Sequence, residues 1–186
     1  MKILLKEFIS KTLEEQMILI PHPPSPEQQV LELEEISRQR QMPITPSEYM
    51  EELDDMTWLF NRAILRSGGQ ESLDLIESMI DKVVPIITFH KEYFNVGRPW
   101  QLADKLGIDF DYDYVESAQT PSYPSGHATQ AFYIAHKLSE IHPDQKDIFH
   151  AIAQMISESR IDFGVHFPSD ILAGKILAAK LIELDL

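Results

Sequence analysis

Proline and the residues beside it divide this chain into helices, and no stretch alternates convincingly enough to make a strand. Ser25-Pro26 opens a helix expected over residues 26–39, with serine as its cap and proline at the first helical position, where a missing N–H costs nothing. Thr45-Pro46-Ser47-Glu48 repeats the device as a capping box, Glu48 reaching back to the Thr45 amide. The helix it starts carries Tyr49, Leu53, Met56, Leu59, Phe60, Ala63 and Ile64 on one buried stripe, and Gly68-Gly69 ends it. Residues 71–94 predict another helix, with Leu73, Ile76, Met79, Ile80 and Val83 inward and a kink at Pro85. Residues 95–125 read largely as loop, with one short helix near 101–105. Three more helices follow, over 127–141, from Pro143 to 160 displaying Ile148, Ala151, Ile152 and Met155, and over 168–184. Ahead of them all, 6–20 is a mixed apolar and charged stretch stopped by Pro21, Pro23 and Pro24. Phe110, Tyr112 and Tyr114 alternate only briefly and among acids, so the expected fold is all-α, a single compact helical bundle over 1–186.

Charge narrows the function. Sixteen Lys and Arg against thirty Asp and Glu leave a net charge of -14, a field that repels nucleic-acid phosphate and anionic lipid. An anionic substrate must therefore be drawn by a local cluster of cations. Cysteine is absent from the 186 residues, which removes disulfides, thiolate metal sites and cysteine nucleophiles together. The longest uncharged apolar run, 83–89, is far short of the roughly 20 residues a bilayer span needs. Residues 1–11 lack a signal-like apolar core. The expectation is a cytoplasmic protein with no integral membrane association.

Three segments supply phosphate-binding chemistry. Lys91 stands near a helix end, with Arg98 in the loop seven residues on; alone, such a pair is ordinary surface charge. Pro124-Ser125-Gly126-His127 lies directly before an apolar helix. Ser125 is placed as an N-cap and Gly126 lets the backbone approach a ligand. The first-turn amides and the helix dipole make an anion site, with His127 beside it. The same tetrapeptide is equally an ordinary cap with an exposed histidine. In the third segment, Ser159-Arg160 precedes His166, and Asp170 follows four residues after the histidine, on one face if that turn is helical. A carboxylate on one imidazole nitrogen fixes the tautomer and sharpens the other as a nucleophile, while Arg160 offers a planar fork to two phosphate oxygens. Alone, this too is a common surface hydrogen bond.

In order, the three segments resemble the signature motifs of the type 2 phosphatidic acid phosphatase superfamily. That superfamily groups bacterial class A acid phosphatases, membrane lipid phosphatases and vanadium-dependent haloperoxidases. The resemblance extends to the proline-rich lead-in at 21–26, to Arg98-Pro99-Trp100-Gln101-Leu102-Ala103 and to 120–129. It implies a metal-independent phosphatase acting on small phosphomonoesters. His166 becomes the nucleophile that forms a phosphohistidine, Asp170 its orienting partner and His127 the general acid. Lys91, Arg98, Ser125, Gly126 and Arg160 hold the phosphoryl oxygens. No cofactor or metal is implied. Vanadate enters as an inhibitor or, in the haloperoxidase alternative, as the prosthetic group. Those peroxidases are generally much longer chains. A lipid phosphate phosphatase and a non-catalytic phosphate-binding module remain further alternatives, and a homo-oligomer stays open.

Other features have plainer readings. Asp109, Asp111 and Asp113 lack the glycine and distant glutamate of a calcium loop and read as a solvated acidic loop. His136 and His150 fall on helix surfaces or are satisfied locally, and His90, next to Lys91, is a candidate to line the pocket. Ala173, Gly174, Ala178 and Ala179 give the final helix a small face suited to close packing.

Overall fold

The computed structural model describes residues 18–41 and 49–186, and among these every regular element is a helix. Helix α1 (Pro26–Gln39) starts at the expected cap: Ser25 Oγ accepts the Gln28 N–H at 3.3 Å, and Gln28 Oε1 accepts the Ser25 N–H at 3.1 Å. The capping box at residues 45–48, and most of the 6–20 stretch, lie outside the described residues.

Where one helix is expected after that box there are two, α2 (Met50–Asp54) and α3 (Met56–Arg66). The break has a local cause. Asp55 leaves helical geometry, at φ -90° and ψ 79°, and turns its carboxylate to accept the Trp58 N–H at 3.0 Å as the cap of α3. The expected stripe survives the break at Leu53, Met56, Phe60 and Ile64, all buried, while Tyr49 is exposed. Gly68, with φ +82°, closes the turn after α3.

Helix α4 (Leu73–Phe94) runs unbroken past Pro85, with Ile76, Met79, Val83 and Ile87 buried, and ends where Asn95 takes the left-handed conformation. The short helix in the following loop is longer than expected: α5 (Pro99–Leu106) begins with Pro99 at its first turn and stops at Gly107, φ +68°. A 3₁₀ turn over Glu116–Gln119 leads towards α6 (Gly126–Ile141). Pro143 opens a further 3₁₀ turn, Pro143–Gln145, before α7 (Lys146–Asp162), and α8 (Pro168–Glu183) closes the chain.

Helix α6 is the hub, packing on α4, α7 and α8, with Ala128, Ala131, Ile134, Ala135 and Leu138 buried along it. Its contact with α8 depends on Gly174. A Cβ there would stand 2.7 Å from the Ser125 carbonyl oxygen and 2.9 Å from Ala128 Cβ, so the bare backbone lets α8 reach the start of α6. Ala173 and Ala178 are buried beside it, whereas Ala179 is exposed. On α7 the buried side is Phe149, Ala153, Ile156 and Arg160. Ile148, Ile152 and Met155 instead line an open cavity of about 500 Å³ against Leu59 and Ala63 of α3. Among the described residues no helix is long and apolar enough to cross a membrane.

Candidate active site

The ends of five helices meet at one place. Lys91 comes from the last turn of α4, Arg98 from the residue before α5, and Ser125, Gly126 and His127 from the start of α6. Arg160 comes from the end of α7, His166 from the turn after it, and Asp170 from the first turn of α8. The structure thus brings together all eight residues singled out in the sequence.

His166 is 3% exposed, and each ring nitrogen has a distinct neighbour. Nδ1 lies 3.0 Å from Asp170 Oδ2, and Nε2 lies 3.0 Å from Arg98 Nη1. A carboxylate only accepts and a guanidinium only donates, so the proton sits on Nδ1 and the lone pair on Nε2. Burial, reinforced by the charges of Arg98, Lys91, His127 and Arg160, drives the imidazole pKa well below its ordinary value. The ring is neutral at physiological pH, with its Nε2 lone pair accepting from Arg98.

Asp170 is held as firmly. Its Oδ2 also accepts from Ser122 Oγ and, at 2.9 Å, from the Phe167 N–H at the head of α8. Burial pushes the carboxyl up to about 6, against the pull of those donors and of Lys91 and Arg98. Its backbone oxygen accepts the Ser125 N–H at 3.0 Å, which ties the α6 cap to the α8 turn.

Lys91 and Arg98 are fixed by carbonyls rather than by acids. Lys91 Nζ donates to the Pro121 carbonyl and, at 3.5 Å, to that of Ser122. Arg98 Nε donates to Thr120 O at 2.9 Å, and its Nη1 to Val165 O at 2.8 Å. Burial and the neighbouring Arg98 lower Lys91 to about 7, with Asp170 opposing, and burial lowers Arg98 to about 10. Arg98 keeps its charge because carbonyls do not neutralise it, while Lys91 is poised between its charged and neutral forms near pH 7.

Ser125 Oγ accepts the Ala128 N–H at 3.3 Å as the α6 cap. The amides of Gly126 and His127 head the helix, beyond the reach of any intrahelical carbonyl. A Cβ on Gly126 would lie 3.7 Å from Lys91 Cε, an ordinary contact; the lysine stem packs directly against this backbone.

Two contributors escaped the sequence reading. Ser122, fully buried between His166 and Asp170, lies within the 120–129 stretch but carries no residue-type signal. Asp54 at the end of α2 is the larger omission. Its Oδ1 lies 2.7 Å from Arg160 Nη1 and 3.0 Å from His127 Nε2. In the sequence it is one acid among Glu51, Glu52 and Asp55 in an acidic chain, and nothing marks it.

The plainer features settle as follows. His90 is buried away from the cationic cluster, tied by Nδ1 to Ile86 O at 2.8 Å while its Nε2 accepts the Leu19 N–H at 3.2 Å. The acidic loop is not wholly solvated, because Arg40 reaches Asp111 at 3.5 Å and Asp113 at 3.3 Å. His136 lies on the surface beside Glu140.

Residues 73–183, which hold every one of the eight site positions, match the family model of the PAP2 superfamily, and the chain belongs to that superfamily. An acid phosphatase of Zymomonas mobilis is 41% identical over 89 residues, 48% of this chain and 33% of that protein. A non-specific acid phosphatase of Providencia stuartii is 34% identical over 124 residues, 66% of this chain and 50% of that protein. The chain therefore spans a third to a half of the length of these relatives. The crystal structure of the first transmembrane PAP2 type phosphatidylglycerolphosphate phosphatase from Bacillus subtilis aligns over 97% of this chain and 86% of that one, at 20% identity and a TM-score of 0.44.

Proposed function

We propose that this protein hydrolyses small phosphomonoesters through a phosphohistidine at His166, without a metal. The observation that carries the reading is the state of that imidazole. It is neutral, with Nδ1–H held by Asp170 and the Nε2 lone pair directed into a cluster of three buried cations. The two acid phosphatases similar to this chain support the same reaction class.

In the first step Nε2 attacks phosphorus, the N–P bond forms and the bond to the ester oxygen breaks. The departing oxygen takes a proton from His127 and leaves as an alcohol. Lys91, Arg98 and Arg160, with the Ser125 hydroxyl and the Gly126 amide, take up the charge on the three equatorial oxygens, which is most of what phosphoryl transfer asks of a protein. Arg98 leaves Nε2 for a phosphoryl oxygen as the substrate enters. In the second step water attacks phosphorus, His127 removes its proton, and the N–P bond breaks to give inorganic phosphate and the starting His166. Asp170 stabilises the imidazolium character that His166 gains in each transition state. Vanadate, which adopts the trigonal-bipyramidal geometry of the transfer state, should inhibit.

The test is hydrolysis of an aryl phosphate between about pH 4 and 9 in the presence of a chelator, combined with trapping of an acid-labile, base-stable phosphoprotein. Turnover with a label that maps to His166 is expected. An inert protein, or a label elsewhere, overturns the reading. Bromide oxidation dependent on added vanadate and peroxide would point instead to the haloperoxidase alternative.

A further inference from the structure

We propose that Asp54 is a positioning residue for His127, forming a second carboxylate–imidazole pair that decides which nitrogen of the leaving-group acid gives and takes the proton. This deepens the phosphatase reading and rests on the role given there to His127. It also reaches beyond the family match, which begins at residue 73.

The geometry is asymmetric about the imidazole. Nε2 of His127 lies 3.0 Å from Asp54 Oδ1 and 3.4 Å from the backbone oxygen of the same residue. Both are acceptors only, so Nε2 keeps a hydrogen in every protonation state. The exchangeable proton is then confined to Nδ1. In the first step His127 starts doubly protonated and gives the Nδ1 proton to the ester oxygen. It finishes neutral with its lone pair on Nδ1, the nitrogen that receives the proton of water in the second step. One nitrogen thus serves both halves of the cycle, and the ring need not turn over between them.

Asp54 also counters the charged groups that face His127. From α7, Arg160 lies within 2.7 Å of the same carboxylate oxygen, and His166 faces it from the turn before α8. Burial and the Arg160 charge both lower the His127 pKa, while the hydrogen bond and charge of Asp54 raise it. Burial acts on Asp54 as well, but the bond and charge of His127, the Arg160 charge and a bond from Ser117 Oγ, 2.9 Å away, hold the carboxyl below its usual range. Without the carboxylate, only the Asp54 backbone oxygen, 3.4 Å away, would help His127 keep its proton against the Arg160 charge.

The experiment is an NMR titration of the His127 ring nitrogens in the wild-type chain and in Asp54→Asn, with the signals assigned by loss in His127→Gln. In Asp54→Asn the His127 midpoint should fall by about one pH unit or more, and its neutral form should lose the preference for Nε2–H. Ser117→Ala leaves the Asp54 carboxylate ionised and should not lower the midpoint, whereas Asp54→Ala should lower it as Asp54→Asn does, and decides the matter if Asp54→Asn does not fold. With an alkyl phosphate, kcat of Asp54→Asn should fall about 10- to 100-fold at neutral pH. Its alkaline limb should move to lower pH while KM does not rise. An unchanged or raised midpoint overturns the proposal, as does a rise in KM with kcat and pH profile intact. A wild-type chain inert on every phosphate would sink the phosphatase reading, while the titration still decides what Asp54 does to His127.

Discussion

The two histidines of the site are each paired with a carboxylate, yet the pairs differ in where their partners come from and how open they are. Asp170 is 1% exposed, sits four residues from His166 and also serves the head of its own helix. Asp54 has 30% of its side chain exposed and reaches His127 from 73 residues away. The first pair is local and buried. The second is assembled only by tertiary folding, at the mouth of the site. A buried nucleophile needs one fixed tautomer, whereas an acid–base must exchange protons with a leaving group and with water. The difference in burial fits the proposed division of labour between His166 and His127.

The sharpest way to break the comparison is to remove each imidazole. His166→Ala should lose at least ~10⁴-fold in kcat on every substrate, because it removes the proposed phosphoryl acceptor. His127→Ala should lose about 10²- to 10⁴-fold on alkyl phosphates but far less on nitrophenyl phosphate, whose leaving group needs little proton assistance. Steady-state kinetics across a leaving-group series checks both, and equal losses on all esters would erase the distinction drawn between the two rings.

Gly174→Ala probes the packing that holds the local pair and the anion cradle together. The added methyl would meet the Ser125 oxygen at 2.7 Å, backbone that cannot swing aside. A loss of about 1–3 kcal/mol in stability is expected, with a rise in the dissociation constant for phosphate as the Ser125–Gly126 turn is displaced. Chemical denaturation and phosphate titration measure the two effects; a variant as stable as wild type would mean α8 can retreat freely.

The smallest effect is on pH dependence. His127 and His166 both have folded-state pKa values below the unfolded ~6.5. The unfolded chain therefore binds protons first, and the stabilisation present above ~6.5 is lost as pH falls through the folded values. Asp170, raised to about 6, has the opposite sign and opposes the loss only below that pH. Stability should thus decline between about pH 7 and 6, and His166→Gln should flatten the slope. Urea midpoints across that interval test it.

Most helices could be placed from the sequence because their signals are local. Ser25-Pro26, Gly68-Gly69 and the apolar spacing of α4 each depend on neighbours within a few residues. The misreadings were contests between local signals. Asp55 could extend a helix or cap the next one, and it caps. On α7, Ile148, Ile152 and Met155 are as apolar as Phe149, Ala153 and Ile156, and only the position of α6 decided which set was buried.

The amino-acid sequence by itself determined the helical class, the Ser125 cap at the start of α6 and the His166–Asp170 pair, because each is a matter of residues within one turn of one another. Tertiary structure alone decided that Lys91, Arg98 and Arg160 cluster around His166, that Ser122 joins the donors to Asp170 Oδ2, and that Asp54 meets His127 and Arg160. The physical reason is that a carboxylate looks the same in a sequence whether water or a buried cation surrounds it. Its chemistry is set by the partners that packing brings within about 3 Å, the reach of a hydrogen bond.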